Sequence, residues 1–330
     1  MPRGKEREER PLKPESSDFL EDFEEYISSM VGINLPSTIN EHSSKIRRFV
    51  PVFEELQTQG KISSIRPADL TEQDVRYFVQ GLRDRDIAPR TQQKYLQLLN
   101  CYLRHVNNMA VEIARKKLKI TEERVPIEAL SVNEIGKVFK TIEEMEGWRG
   151  SVARGMIYLA FQTLARPTEI RTALYKDLDI ISRRFYVRNP KGKGTFAAGQ
   201  YVDMLRPDFM PQIERYVADR EFHLLRRGKS SAYLFPNLYG EINDVYSANA
   251  QRVIMREVSH RSGVDFSLKT FRATGADLII SADPSKLFIV SAQLRHGSIA
   301  TTQKYYADIQ RSSVARQLGD TYTNIKIPKD

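Results

Sequence analysis

The stretch VARGMIYLAFQTL, residues 152–164, is apolar along almost its whole length. A helix with apolar side chains on every face is buried on every side, so this segment predicts the central helix of a domain. The period then changes to two residues: RFYVR (184–188) and QYVDML (200–205) alternate as strands do, on either side of the basic, glycine-rich PKGKGTFAAG (190–199). The sequence therefore predicts a domain that is mainly α with a small antiparallel β-sheet.

The boundaries of this domain follow from the flanking segments. In LSVNEIGKVF (130–139), Ser131 and Glu134 have the spacing of a capping box, which marks the start of a helix. Helical patterns resume at Asp208 and continue to the end of the chain. We therefore expect this second domain to span residues 127–330, and the charged stretch ARKKLKITEERVP, residues 114–126, to be a linker.

Residues 17–113 predict a smaller, helical N-terminal domain, preceded by a disordered leader at residues 1–16. Four helices are expected. The first begins at Asp18, the second runs from Thr38 to Leu56, and the third from Thr71 to Leu82. The fourth, TQQKYLQLLNCYLRHV (91–106), carries the clearest apolar stripe, formed by Tyr95, Leu98, Leu99, Tyr102, Leu103 and Val106.

Composition limits the function. The chain has 330 residues and a formal net charge of +9, although its first 44 residues carry 5 basic and 10 acidic side chains. A basic body suits a protein that binds a polyanion, but ordinary surface charge can give the same value. No apolar run is long enough to span a membrane. Cys101 is the single cysteine and the histidines lack metal-ligand spacing, so we expect no metal and no cofactor.

Four features of the second domain carry chemistry, and each has an ordinary structural interpretation when taken alone. In TLARPTEI (163–170), Arg166 could simply pair with Glu169. Lys191 and Lys193 lie in the predicted hairpin, where lysines usually serve a solvated turn. In SLKTFRATGADL (267–278), Lys269 and Arg272 share one helix face. In LRHGSIATTQKYY (294–306), His296 precedes Tyr305 by nine residues.

Taken in order, these features resemble the tyrosine recombinase family, which includes phage integrases and Xer recombinases. TLARPTEI is similar to the family's T-G-L-R-x-x-E-(L/I) box, and LRHGSIATTQKYY to its L-G-H-x-x-(I)-x-T-T-x-x-Y box. IAPRTQQKYLQLLNCYLRHV resembles the helix of the family's core-binding domain. The resemblance implies an N-terminal core-binding domain and an α+β catalytic domain that close around double-stranded DNA.

The resemblance also implies a mechanism, with Tyr305 as nucleophile, that breaks and rejoins DNA through a 3′-phosphotyrosine. Two guanidiniums, Arg166 and Arg272, suit the clamping of phosphate oxygens, because each can donate two parallel hydrogen bonds. His296 and Lys269 would stabilise the transition state or move protons, and a hairpin lysine would protonate the leaving 5′-oxygen. Arg90, Lys94 and Arg104 are candidate DNA contacts.

Several points stay open at this stage. Tyr306 neighbours Tyr305, and either Lys191 or Lys193 could be the general acid. Lys269 replaces the family's commoner histidine, and Arg295 replaces a glycine at a position we expect to be structural. The resemblance implies a homotetramer on two DNA sites, with residues 307–330 as an oligomerisation segment. It also implies a cytoplasmic, nucleoid-associated protein that a virus or mobile element could encode. A type IB-like topoisomerase and a catalytically inactive DNA-binding protein are the alternatives.

Overall fold

A computed structural model describes residues 17–118, 120, 129–188, 199–239, 245–296, 298–300 and 302–303. The chain divides into two compact units, residues 1–124 and 125–330. The described parts are mainly helical with one small antiparallel sheet, which confirms the predicted fold class. The predicted leader, most of the linker and the residues after 303 lie outside the described residues.

The first unit contains six described helices rather than four. They follow a short 3-10 turn at Asp18–Leu20 and are α1 Phe23–Ser29, α2 Pro36–Ile46, α3 Val50–Thr58, α4 Glu72–Asp84, α5 Pro89–His105 and α6 Ala110–Lys117. The predicted linker from Ala114 thus overlaps α6, in which Ala114 is fully buried. Charge alone suggested a linker because the last turn of α6 carries Arg115, Lys116 and Lys117.

The single helix predicted from Thr38 to Leu56 is wrong, because the chain breaks between α2 and α3. Pro51 is the second residue of α3. A proline inside a continuous helix would lack one N–H donor, and its ring would clash with the carbonyl of residue 47. The break lets the aromatic side chain of Phe53 on α3 turn into the core of this unit. There Phe53 stacks on Phe19 and Phe78, with ring centroids 4.6 and 4.8 Å apart.

Local start signals fixed two helices as the sequence predicted. In α4, the Thr71 hydroxyl accepts a hydrogen bond from the backbone N–H of Asp74, whose carboxylate accepts one from the N–H of Thr71. In α5, Pro89 occupies the first turn, where its missing N–H costs nothing. The predicted stripe of α5 is buried at Leu98, Leu99, Tyr102 and Leu103, and half-buried at Tyr95 and Val106.

The second unit is built around one buried helix. Its described elements are α7 Val132–Glu144, α8 Gly147–Thr163, α9 Pro167–Arg171, β1 Leu178–Asp179, β2 Arg184–Val187, β3 Gln200–Asp203, α10 Met210–Leu225, α11 Ala248–Ser262, α12 Leu268–Ala282 and α13 Leu287–Gln293. Every residue of α8 from 150 to 163 is buried. Helices α7, α10, α11 and α12 pack against it, as the apolar stretch predicted.

The small sheet and the start of the unit also follow the sequence. The Ser131 hydroxyl and the Glu134 carboxylate form the expected capping box at the start of α7. The strands lie in the order β1-β2-β3, all antiparallel, with Phe185 opposite Val202. Phe185 and Val202 are buried in the core, so the alternation of β2 and β3 places one face of the sheet inward.

We expect Gly155→Ala to destabilise the second unit by about 1–3 kcal/mol, the usual cost of overpacking a core. A Cβ at Gly155 of α8 would lie 2.5 Å from the ring of Tyr216 on α10. That ring is fully buried, and its hydroxyl donates to the carbonyl of Leu234 at 2.6 Å. Urea unfolding measures the loss.

Gly136→Ala is the matched control, because Gly136 is exposed inside α7 and a Cβ there would meet no atom within 4 Å. This variant should gain stability, by up to about 1 kcal/mol, from the better helix propensity of alanine. Equal unfolding midpoints for the two variants would contradict the packing of α8 on α10.

Candidate active site

Arg272 is the most deeply buried of the predicted catalytic residues that the structure describes. It lies on the side of α12 that packs against α8, and it is 7% exposed. One guanidinium nitrogen donates to the backbone carbonyl of Leu164, and another to that of Leu294 at 2.5 Å. Both carbonyls lie at helix ends, just after α8 and α13, where the carbonyls lack helical partners. Arg272 therefore occupies a socket made by two helix termini.

Arg166 lies at the start of α9, beside that socket. Its backbone is extended, and its N–H donates to Oε2 of Glu169 at 2.6 Å. Its guanidinium donates to Oε1 of Glu169 at 2.8 Å and to the carbonyl of Arg295 at 3.3 Å. The predicted pairing of Arg166 with Glu169 is present. It directs the guanidinium of Arg166, whose side chain is 23% exposed, towards residues 294–296.

His296 completes the cluster. Its Nε2 lies 3.4 Å from a guanidinium nitrogen of Arg272, and its Nδ1 lies 2.7 Å from the hydroxyl of Thr302. The Thr302 hydroxyl donates its own proton to Ser291 at 2.8 Å. It can therefore only accept from Nδ1, which places the ring proton on Nδ1 and leaves Nε2 as an acceptor facing Arg272.

The surroundings of His296 keep its ring neutral. Burial, which is the largest cause, and the nearby cations of Arg272, Arg166 and Arg295 together lower its pKa from 6.5 to about 4. Each of these causes disfavours a second positive charge in a site that already holds three guanidiniums. His296 is thus a neutral acceptor at physiological pH.

The structure adds one residue that the sequence treated as structural. Arg295 is buried, and its guanidinium donates to Glu169 at 2.5 Å. Its backbone has φ of +53°. The sequence signal was the departure from glycine before His296. Glycine adopts this left-handed conformation without steric cost, which explains why it suits the position, but the contact of the Arg295 side chain with Glu169 could not be foreseen.

Of the remaining predicted catalytic residues, Lys269 lies in the described part of the chain. Lys269 is exposed in the first turn of α12. Across the described part of the chain, no hydrogen bond or ion pair joins it to Arg166, Arg272 or His296. Lys191, Lys193 and Tyr305 lie outside the described residues, as does Tyr306.

A cleft of about 390 Å³ opens beside Arg166 in the second unit. It is also lined by Tyr186 of β2 and by Arg188, which follows β2. Arg188 donates to the fully buried carboxylate of Asp177 at 2.8 Å. Two held cations, Arg166 and Arg188, therefore line the cleft, and no motif in the sequence indicated the second.

The predicted DNA contacts lie in the first unit. Arg90 is exposed in the first turn of α5, Lys94 lies 3.5 Å from Glu41, and Arg104 lies 3.2 Å from Glu112. Arg90 and Lys94 line a groove of about 490 Å³ that Arg115 of α6 also lines. The structure thus groups Arg90, Lys94 and Arg115, while Arg104 is not among the residues lining this groove.

Comparison with known proteins agrees with this architecture. The model of the phage integrase family matches residues 128–311, more than half of the chain. Among solved structures, the fold is similar to a lambda integrase dimer bound to a COC′ core site, with TM-score 0.60 and 17% identity over 87% of this chain and 93% of that one. It is also similar to the Tn1549 transposon integrase in complex with transposon right end DNA, with TM-score 0.61 and 13% identity over 88% and 97% of the chains.

A lambda integrase tetramer bound to a Holliday junction matches with TM-score 0.57 and 16% identity, over 83% of this chain and 76% of that one. No curated protein matches this sequence. The fold and the arginine–histidine cluster define a tyrosine recombinase, an enzyme that transfers DNA strands. This chain belongs to the phage integrase family. In the described residues, no helix is both long and apolar enough to cross a membrane.

We expect His296 to stay neutral at every pH above about 5, since its pKa of about 4 lies below the ordinary 6.5. Between those two values the unfolded chain binds a proton that the folded chain excludes. This residue should therefore reduce the free energy of unfolding as pH falls from 6.5 towards 4. NMR titration of the ring measures the midpoint, with His296→Gln to assign the resonance. A midpoint near 6.5 would contradict the geometry of the cluster.

Proposed function

We propose that this enzyme is a site-specific DNA recombinase that cuts duplex DNA, holds one strand as a 3′-phosphotyrosine on Tyr305, and rejoins it without metal or ATP. The observation that carries the proposal is that the guanidiniums of Arg166 and Arg272 both contact the segment 294–296, which contains His296. Two guanidiniums beside a neutral imidazole suit a phosphodiester that gains negative charge as it reacts.

The arginines act as a phosphate clamp. During attack on phosphorus, negative charge grows on the non-bridging oxygens, and guanidiniums match those oxygens with paired N–H donors. Arg166 and Arg272 are held by Glu169 and by backbone carbonyls before any substrate binds. Fixed donors need not reorganise during the reaction, and removing one such donor typically costs about 2.7–4 kcal/mol of transition-state stabilisation.

The nucleophile is Tyr305, which follows His296 by nine residues. Its oxygen bonds to phosphorus as the bond from phosphorus to the 5′-oxygen breaks, and the phenol proton passes to Nε2 of His296. A phenol has an ordinary pKa of about 10, so it requires this acceptor and the neighbouring cations. The bound phosphate offsets the charge of the arginines, which raises the pKa of His296 and makes it a stronger acceptor in the complex.

The leaving 5′-oxygen needs a proton, which we assign to a hairpin lysine, Lys191 or Lys193. Lys269 is exposed at the start of α12, which supports a role as a phosphate-binding cation rather than as a proton carrier. The phosphotyrosine ester retains the energy of the broken bond. Reversal of the same steps by another 5′-hydroxyl therefore rejoins the strand without ATP.

Duplex DNA is the proposed partner of both units. Arg90, Lys94 and Arg115 border one groove, which suits contacts to phosphates, and Arg104 supplies a further cation on α5. Exchange of strands needs two DNA sites, so we propose a homotetramer in which residues 307–330 join neighbouring subunits. Such a substrate would place the enzyme at the nucleoid. Integration or excision of a mobile element is the reaction class that fits.

Tyr305→Phe should abolish covalent attachment to DNA while leaving noncovalent binding nearly unchanged. The substrate is a nicked duplex containing the sequence recovered with the protein by crosslinking and sequencing. Adducts are counted on denaturing gels. Tyr306→Phe is the matched control and should still form the adduct. The assignment of the nucleophile fails if the adduct persists in Tyr305→Phe and disappears in Tyr306→Phe.

Cleavage should proceed at an unchanged rate in excess EDTA, because guanidiniums already supply the positive charge that a metal would bring. The same single-turnover assay, with and without chelator, measures this. Added magnesium serves as the control for effects on DNA binding alone. A cleavage step that stops in EDTA and recovers only with a divalent cation would refute the proposed chemistry.

A further inference from the structure

We propose that Arg295 is a positioning residue for strand transfer, which fixes Glu169 and through it the phosphate-binding guanidinium of Arg166. The inference rests on the proposed function and adds to it a third arginine that does not itself contact the phosphate. It stands on three observations: the backbone conformation of Arg295, the burial of its side chain, and the sharing of one carboxylate between two arginines.

The backbone at Arg295 ends α13 in a way that favours glycine. The N–H of Arg295 donates to the carbonyl of Ala292 at 2.9 Å, and the N–H of His296 donates to that of Ser291 at 3.2 Å. This pair of bonds is a Schellman motif, in which the residue at Arg295 takes the left-handed conformation. Its φ is +53°, and a side chain there meets steric strain that glycine avoids. Helix termination alone would therefore be better served by glycine.

The guanidinium of Arg295 is buried as well as strained. Its side chain is 2% exposed. One terminal nitrogen donates to the carbonyl of Gln293 at 2.8 Å and the other to Glu169, while its Nε has no hydrogen-bond partner among the described residues. A buried cation with an unsatisfied donor destabilises a fold unless its other contacts compensate. The compensating contact here is the ion pair with Glu169.

Glu169 links Arg295 to Arg166. Its Oε2 accepts from the guanidinium of Arg295 at 2.5 Å and from the backbone N–H of Arg166 at 2.6 Å, and its Oε1 accepts from the guanidinium of Arg166 at 2.8 Å. With Oε2 occupied by Arg295, the carboxylate cannot turn to hold both nitrogens of Arg166. The second nitrogen of Arg166 instead reaches the carbonyl of Arg295. Arg295 thus sets the plane of the Arg166 guanidinium from both its side chain and its backbone.

The charge of Arg295 also acts on His296. It stands with Arg166 and Arg272 among the cations that hold the pKa of His296 down. Ser291 and Thr302 are the other polar groups bonded around that ring, and both are uncharged. Loss of the Arg295 charge should therefore be visible at His296 even without DNA, which a role confined to helix termination would not produce.

The test is Arg295→Gly, which keeps the left-handed backbone and removes the guanidinium. The matched control is Arg183→Gly, since Arg183 is exposed in a turn before β2 and has a φ of +51°. In Arg295→Gly, single-turnover cleavage should fall roughly tenfold or more, the scale expected for a misplaced catalytic group. The Kd for the same DNA should stay within about threefold, since one buried residue leaves the surface phosphate contacts intact. The midpoint of the His296 titration should rise above about 4 while staying below 6.5, because burial, the largest cause of the lowered pKa, remains.

Arg183→Gly should match the wild type in all three measurements. Arg295→Lys keeps the charge but loses the planar guanidinium that donates to both Gln293 and Glu169. The midpoint of its His296 titration should therefore stay near the wild-type value, while its cleavage rate should remain reduced. The proposal is overturned if cleavage and the His296 titration are unchanged in both Arg295 variants. The titration needs no DNA, so a wild-type protein that never cleaves would refute the proposed function without deciding the role of Arg295.

Discussion

The burial of the Arg272 guanidinium is the constraint on which the rest of the site depends. A guanidinium removed from water is tolerated only where its donors find partners, and here two of them find the carbonyls of Leu164 and Leu294. Those carbonyls are available because α8 and α13 end there. The backbone of Leu164 is left-handed, with φ of +51°, which ends α8 at this residue and leaves its carbonyl free for Arg272. Through Arg272, the buried face of α12 contacts the ends of both α8 and α13.

The cluster around the buried Arg272 carries an excess of positive charge. The guanidiniums of Arg166, Arg272 and Arg295 lie beside one carboxylate and one imidazole. The carboxylate is that of Glu169 and the imidazole that of His296. A proton on His296 would add to this excess of positive charge in a buried site, so the pKa of His296 is lowered and the ring stays neutral. The same excess favours any anion that enters. A phosphate would therefore gain affinity from the same charge that disfavours the protonated imidazole.

The sequence predicted the parts of this arrangement that depend on local chemistry. The capping box at Ser131 formed as expected, α4 begins just after Thr71 as predicted, and the apolar stretch became the buried helix α8. Arg166, Arg272 and His296 were named from motifs, and the structure brings them together. The contact of Arg295 with Glu169 was missed because it joins residues 126 positions apart, and no local pattern records where a long side chain ends. The break at Pro51 was missed because apolar spacing continued across it.

Burial divides the cationic residues into two groups with different capacities. Arg272 and Arg295 are almost fully enclosed, and their terminal guanidinium nitrogens donate to backbone carbonyls and, in Arg295, to Glu169. Enclosed side chains cannot move to meet a substrate, so their contribution is a fixed field. Arg166 is partly exposed but held by Glu169, so it can meet a phosphate in a fixed orientation. Lys269 is exposed, and its side chain can adjust to a phosphate as it arrives. In the proposed mechanism this division is useful, because the fixed charges would stabilise the same transition state whichever 5′-oxygen is attacking or leaving.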